Sequence, residues 1–221
     1  MQHKITILLL EHVNHNVVRL RTDKPTNYRF TPGQATELSI DKNHLKEEKR
    51  PFTFTSLPED DTLEFTIKIY PSHNGVTEQI EQLKVGDKLL IGEAWGAINY
   101  QGEGTFIAGG AGITPFIAIL KQLNVKGNLN NNQLFYANKQ EKDIIYKNNL
   151  EAWLGDHLHL TLSKDNLENY HYGHIDADYL RSHNFETSRP VYLCGPPAME
   201  KAITADLIKL GVPEQLIIKE A

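Results

Sequence analysis

The stretch Thr105-Phe106-Ile107-Ala108-Gly109-Gly110-Ala111-Gly112-Ile113-Thr114-Pro115 constrains the fold of this chain more than any other. A short apolar strand runs into a glycine turn and then into an apolar-periodic helix, Phe116–Leu123. Pro115 falls in the first helical turn, where a missing N–H costs nothing. Such a turn lets backbone N–H groups and the positive end of a helix approach a phosphate closely. It is not the G-x-G-x-x-G fingerprint, because Pro115 takes the third glycine position. On glycine content alone, a tight strand–helix turn without a ligand is an equally good reading. A second turn shifts the balance: Val191-Tyr192-Leu193 runs into Cys194-Gly195-Pro196-Pro197 and then into another helix. Two glycine turns at the carboxyl ends of strands can line one crevice where the strand order reverses. Taken alone, Cys194 reads as a small buried hydrophobe.

Around these turns the chain alternates strand and helix. Strands are predicted at Thr105–Ala108, Gln133–Ala137, Leu158–Leu162 and Val191–Leu193, with a last one near Leu216–Ile218. Helices are predicted at Thr114–Leu123, Asp143–Trp153, Asp176–Ser182 and Ala198–Leu210. That alternation implies a parallel sheet with helices on its faces. Residues before Gly102-Glu103-Gly104 have a different rhythm. Leu63-Glu64-Phe65-Thr66-Ile67-Lys68-Ile69 alternates as a half-buried strand does. Shorter strands at Ile5–Leu10, Val17–Arg21, Glu37–Ile40, Phe52–Ser56 and Lys88–Ile91 are separated by turn-formers, and only Thr77–Leu83 looks helical. The expectation is two domains: an antiparallel β-barrel over residues 1–101, and an α/β domain with a parallel sheet over residues 102–221.

Composition bounds the function further. A formal charge of −5 supplies no basic excess for a nucleic-acid partner. Cys194 is the one cysteine, so these residues cannot form an internal disulfide or a multi-thiolate zinc or iron–sulfur site. The apolar run Ile5–Leu10 is too short to span a bilayer and lacks a signal-peptide cleavage pattern, so it reads as a first strand. A cytoplasmic location without a membrane span is expected, and no metal site is predicted.

In the first half, Arg50-Pro51-Phe52-Thr53 puts a fixed cation, an aromatic face and a hydroxyl on one short strand. Arg50 and Phe52 share a face, with Thr53 opposite or turned by a local irregularity. An arginine fork suits phosphate oxygens and an aromatic ring suits a planar heterocycle. Strand pattern alone favours the simpler reading, an edge strand with a solvated arginine. Gly75-Val76-Thr77 opens a short helix, either as an anion site or as a plain cap.

In this order the segments Pro32-Gly33-Gln34, Arg50-Pro51-Phe52-Thr53, Gly75-Val76-Thr77, Gly109–Pro115 and Cys194-Gly195-Pro196-Pro197 resemble the ferredoxin–NADP reductase superfamily over nearly the whole chain. Each is weak alone; five in family order are specific. The resemblance implies a flavin barrel and a pyridine-nucleotide domain, with FAD (FMN less expected) and NADPH or NADH meeting between them. By position, Arg50 and Pro51 would meet the flavin phosphates, Phe52 the ring and Thr53 its N5 edge. Ile67 and Ile69 fall among the implied flavin contacts, and Gly75, Val76 and Thr77 would hold phosphates. Gly110, Gly112 and Thr114 would receive the nicotinamide nucleotide, with Ser163 and Lys164 near its adenosine ribose. Cys194, Gly195 and Pro196 would approach the nicotinamide, with Glu220 nearby. Thr53, Cys194 and Glu220 are the implied catalytic set, acting through geometry and polarity and not as nucleophiles.

The chain also departs from the family pattern. Phe52 replaces a tyrosine, so stacking is kept and a hydroxyl is lost. Ala221 stands where many relatives carry a stacking aromatic, which implies freer nicotinamide access. Glu93-Ala94-Trp95-Gly96 replaces Gly-Pro-hydrophobic-Gly, with no role evident for Trp95. Lys164 replaces arginine and His174 replaces tyrosine near the ribose, which leans toward NADPH. With a single cysteine, electrons are expected to leave to a separate acceptor, a flavodoxin or ferredoxin first. An oxygenase reductase component, a free-flavin reductase or a small acceptor comes next. A flavin- or nucleotide-binding redox sensor without turnover is the alternative of another class.

Overall fold

The computed structural model describes residues 2–70, 75–129 and 131–220. Its first half is a six-stranded antiparallel sheet of β1 (His3–Asn14), β2 (Val17–Asp23), β3 (Ala35–Ile40), β4 (Arg50–Thr53), β5 (Thr62–Lys68) and β6 (Lys88–Trp95). The strand order is β4-β3-β6-β1-β2-β5. A bridge between Phe54, just past β4, and Phe65 of β5 joins the two ends, so the sheet closes into the expected barrel. Alternation fills it: Leu63, Phe65 and Ile67 on β5, Leu38 and Ile40 on β3 and Leu89 and Ile91 on β6 are all buried in one core. Phe54 anchors that core by stacking on Phe30 at 4.3 Å between ring centres. Burying each such side chain contributes about 1.5–3 kcal/mol before entropy is counted. The short helix α1 (Val76–Glu81) adds Val76 and Ile80 to the same core.

The second half is a six-stranded parallel sheet of β7 (Thr105–Gly109), β8 (Gln133–Asn138), β9 (Leu158–Leu162), β10 (His171–Tyr172), β11 (Val191–Cys194) and β12 (Ile217–Ile218). The order is β10-β9-β8-β7-β11-β12, so the direction of winding reverses between β7 and β11. Helices α2 (Thr114–Val125) and α3 (Lys147–Leu154) share a core with Phe106, Tyr136 and Tyr192. Helices α4 (Ala177–Ser182) and α5 (Pro197–Leu210) share another with Ile107, Phe135 and Leu193 on the opposite face. Alternate residues of one strand serve both cores, which is why Val191-Tyr192-Leu193 is apolar throughout.

The two halves are joined tightly. Val17 and Ile98 of the first half are buried in the core of α2 and α3. The Tyr192 hydroxyl donates to the carbonyl of Gly102 (2.7 Å) and accepts from the Gln101 N–H (2.8 Å), fixing the connecting segment. Among the described residues, no helix is long and apolar enough to cross a membrane.

Several elements differ from the sequence expectation. β4 spans Arg50–Thr53 and not Phe52–Ser56, because the chain after Thr53 turns to bridge β5. The helix expected over Asp143–Trp153 is broken. A 3-10 turn, Glu141–Asp143, ends at Ile144, and α3 starts only at Lys147. A reciprocal cap between Gln140 and Asp143 opens that turn, and the break itself follows it, where Ile144 is extended and Tyr146 left-handed. β10 is too short to leave a sequence signal.

Candidate functional site

Both glycine turns lie at the reversal of strand order. The first, a 3-10 turn over Gly110–Ile113, leads directly into α2, whose first turn has no side-chain cap. The second, Cys194-Gly195-Pro196, leads into α5, also without a side-chain cap. The turns are packed backbone to backbone. A Cβ on Gly112 would lie 2.2 Å from the Cys194 carbonyl oxygen and 2.8 Å from the Gly195 Cα. Gly110 is different: its φ is +52° and a Cβ there would meet nothing within 4 Å. It therefore offers an open backbone surface, and its carbonyl is held by the Tyr136 hydroxyl at 3.0 Å. The Thr114 hydroxyl donates to the Ala111 carbonyl (3.0 Å), stiffening the same turn.

Cys194 is largely covered, and its thiol is not a nucleophile at neutral pH. Burial first, then the carboxylates of Glu200 and Glu220, pushes its pKa up to about 12. Glu200 accepts a hydrogen bond from the Gly195 N–H at 2.8 Å, so that donor is already taken. Glu200 was not identified from sequence, although a carboxylate in the first turn of a helix is a usable signal.

On the barrel side, Thr53 pairs with Ala35 across β4 and β3, and Ala35 pairs with Trp95 across β3 and β6. Glu220 comes to this row from the C-terminal segment. Its carboxylate accepts from the N–H groups of Ala97 (3.3 Å) and Ile98 (3.4 Å). Glu220 thus stands between the two halves, bonded to the barrel side at Ala97 and Ile98 and with its charge reaching Cys194 of the second turn. Trp95 is exposed at the end of its strand, beside this row.

Arg50 is exposed, with a hydrogen bond to the Lys49 carbonyl (2.7 Å) and a loose ion pair with Glu48 (3.7 Å). Phe52 packs partly against the barrel core, while Pro51 is exposed beside it. Ile67, Ile69 and Val76 have their side chains in that core, so toward a ligand they can present only backbone. The Thr77 hydroxyl accepts from the Tyr70 N–H at 3.3 Å, and Gly75 precedes α1 in extended conformation. Ser163 and Lys164 follow β9, their N–H groups bonded to the carbonyls of Asn138 (3.0 Å) and Lys139 (2.9 Å). Asp165 is the neighbour that sequence reasoning passed over. Its carboxylate accepts from the Glu141 N–H (3.0 Å) and the Gln140 amide (3.2 Å). Ala221 lies outside the described residues, and among those residues no His, Cys, Asp and Glu cluster could hold a metal ion.

Residues 2–102 match a family of FAD-binding domains, and residues 106–205 match the oxidoreductase NAD-binding domain family. The chain is 25% identical over 228 residues to the ferredoxin–NAD(P)(+) reductase component of the naphthalene 1,2-dioxygenase system of Pseudomonas putida, covering 99% of this chain and 68% of that protein. It is likewise 25% identical over 259 residues to NADH-cytochrome b5 reductase 2 of Danio rerio, covering 98% of this chain and 84% of the relative. Its fold matches the FAD/NAD-binding domain of nitric oxide dioxygenase from Vibrio cholerae with a TM-score of 0.87, at 18% identity and over 98% of this chain and 97% of that one.

Proposed function

From the premise that this chain belongs to the ferredoxin reductase-like superfamily of NAD(P)H-dependent flavoprotein reductases, we propose that it passes electrons from FAD to a separate carrier protein of the ferredoxin or flavodoxin class. The observation that supports this is the packing of the two glycine turns against each other where the strand order reverses, with Glu220 bound to the Ala97 and Ile98 N–H groups of the barrel side and its charge reaching Cys194. The residues present fit the cofactors. Gly110 leaves a space that a Cβ would fill, the glycine turn over Gly110–Ile113 that leads into α2 starts without a side-chain cap, and the exposed Arg50 fork is available to phosphate. When bound, FAD supplies a centre that accepts a hydride from the nicotinamide and releases electrons singly or in pairs.

The protein's own part is to position, polarise and exclude water. Arg50 is assigned to the flavin pyrophosphate, Phe52 to one ring face, and the Thr53 hydroxyl to a hydrogen bond at the ring edge. Gly75 and Thr77 are assigned to phosphate contacts on the barrel side, and Gly110 and Thr114 to the donor's pyrophosphate. Gly112 and Gly195 act indirectly, by letting the two turns close on each other. Cys194 sits as a neutral thiol, so it lines the nicotinamide position without bringing a charge there. Glu220, tethered by the Ala97 and Ile98 N–H groups, holds the seam between the halves.

One cysteine cannot ligate an iron–sulfur cluster, so these residues must send electrons to a centre outside themselves. The oxygenase-system relative supports a small carrier protein in that role, and the cytochrome b5 reductase relative supports a protein acceptor more broadly. Donor choice rests on Ser163, Lys164 and Asp165. A lysine is a point charge and not a fork, and Asp165 opposes a 2'-phosphate beside it. Both donors are therefore expected to work, with rates within about tenfold of each other.

The test is to purify the protein, record its absorbance, and add NADH or NADPH without oxygen. FAD-type absorbance that bleaches, followed by transfer that depends on added ferredoxin or flavodoxin, is expected. A colourless protein that binds no flavin overturns the reading. A yellow protein that does not bleach favours a sensor, and one that serves only free flavin overturns the carrier assignment.

A further inference from the structure

We infer that Tyr146 is a positioning residue that latches the nucleotide-binding half to the barrel and so sets how the nicotinamide meets the flavin. The inference rests on the functional reading above. It begins from the broken helix. Tyr146 precedes α3 with φ 55° and ψ 35°, in the left-handed region. A bulky aromatic side chain is disfavoured there, and such a conformation persists only where its surroundings over-determine it.

Those surroundings join the two halves. The half-buried Tyr146 ring packs against the core of α2 and α3. Its hydroxyl lies 3.3 Å from the Thr66 hydroxyl on β5 of the barrel. Thr66 in turn lies 3.1 Å from the Thr55 hydroxyl, which donates to the Glu64 carboxylate at 3.2 Å. Each hydroxyl has one proton, so the terminal carboxylate fixes the direction of the whole chain. Thr55 donates to Glu64, Thr66 donates to Thr55, and Tyr146 donates to Thr66. Burial pushes the Tyr146 pKa up, which keeps that proton in place.

The other end of the latch reaches the nucleotide turn. The adjacent Ile145 N–H donates to the Tyr136 hydroxyl at 3.3 Å, and this hydroxyl donates to the Gly110 carbonyl at 3.0 Å. A continuous set of contacts thus runs from the open glycine of the first turn to Thr55, two residues beyond Thr53. The remaining cross-links nearby are more exposed. His15 contacts the Lys142 carbonyl (3.2 Å) and Asp143 (3.4 Å), and Lys121 pairs with Asp60 at 3.6 Å. Ion pairs of that kind hold geometry weakly. A buried hydroxyl relay with fixed direction holds it better, because misalignment leaves the Thr66 oxygen without its donor.

The test compares Tyr146→Phe, Thr66→Val and the double variant of the FAD-loaded protein in anaerobic stopped flow with saturating NADH. The limiting bleaching rate should fall about three- to tenfold in each single variant, the loss expected from one misplaced hydrogen bond. The NADH dissociation constant and flavin content should stay within about twofold, because neither residue is assigned a ligand contact. The double variant should be no slower than either single one, since both break one relay. Thr66→Ser, which keeps the hydroxyl, should restore the wild-type rate, and it reads the same relay if Tyr146→Phe does not fold. An unchanged limiting rate in the single variants, or fully additive losses in the double, overturns the latch. Wild-type protein that does not bleach is a failure of the functional reading instead, and the control shows it directly.

Discussion

The carbonyl oxygen of Cys194 occupies the space that any side chain at Gly112 would need, 2.2 Å from the position of its Cβ. Gly112 is therefore a glycine of turn-to-turn packing. Gly112→Ala must push backbone apart, because no flexible side chain is there to yield. A loss of about 1–3 kcal/mol is expected, read as a lower unfolding midpoint with weaker binding of the nicotinamide nucleotide. A variant as stable as wild type would mean that the turns are not interlocked.

Gly110 should respond differently. Its φ of +52° strains any replacement, while nothing within 4 Å crowds it. Gly110→Ala is expected to cost about 1 kcal/mol of stability. Its larger effect should be on ligand binding, because the added methyl group enters the space assigned to the donor's phosphates. Titration of the oxidised protein with NAD and NADP checks this; unchanged affinity for both removes Gly110 from the site.

The Cys194 thiol, with its pKa raised to about 12, stays protonated across the working range. The folded protein should therefore react slowly with iodoacetamide at pH 8 and rapidly once unfolded in urea. The bleaching rate should show no inflection from this thiol between pH 7 and 10. Fast alkylation of the folded protein would contradict the assigned environment.

His159 makes a pH prediction away from the site. Burial first, then His183 and His157, lowers its pKa to about 4 from an ordinary value near 6.5. It stacks on Phe135 with ring centres 4.5 Å apart, and His183 meets it edge-on at 4.6 Å. Because the folded state binds this proton less readily than the unfolded chain, the contribution is full above about pH 6.5. It declines as pH falls toward 4 and is gone below. After discounting for partial exposure the effect is on the order of 1 kcal/mol. Urea midpoints between pH 7 and 4 should fall less in His159→Phe than in wild type; equal falls would show that His159 is not the group responsible.

Much of this protein was legible in its sequence because periodicity and glycine turns are local signals. The alternation Leu63-Glu64-Phe65-Thr66-Ile67 predicted a barrel strand, and Thr105–Pro115 predicted the first nucleotide turn, both before any tertiary information. The losses came where long-range contacts decide. Nothing local shows that Gly112 faces Cys194 or that Glu220 reaches the Ala97 and Ile98 N–H groups, since the first pairing exists only once β7 and β11 pair and the second only once the halves dock. The helix expected through Asp143–Trp153 failed for the same reason. Its apolar spacing is helical, but Tyr146 is turned out of the helix to meet Thr66, 80 residues earlier in the chain. Ile67 and Ile69 show the opposite limit, in that family position marked them while their side chains belong to the barrel core.

In the proposed reaction hydride crosses between the flavin assigned to the barrel and a nicotinamide held at the two glycine turns. The most direct measurement is the anaerobic bleaching rate of the bound FAD with NADH carrying either hydrogen or deuterium at C4. Bleaching should be complete and slower with one deuterated face by more than about twofold, since that C–H bond breaks in the measured step. A protein whose flavin never bleaches with either NADH or NADPH would contradict the account.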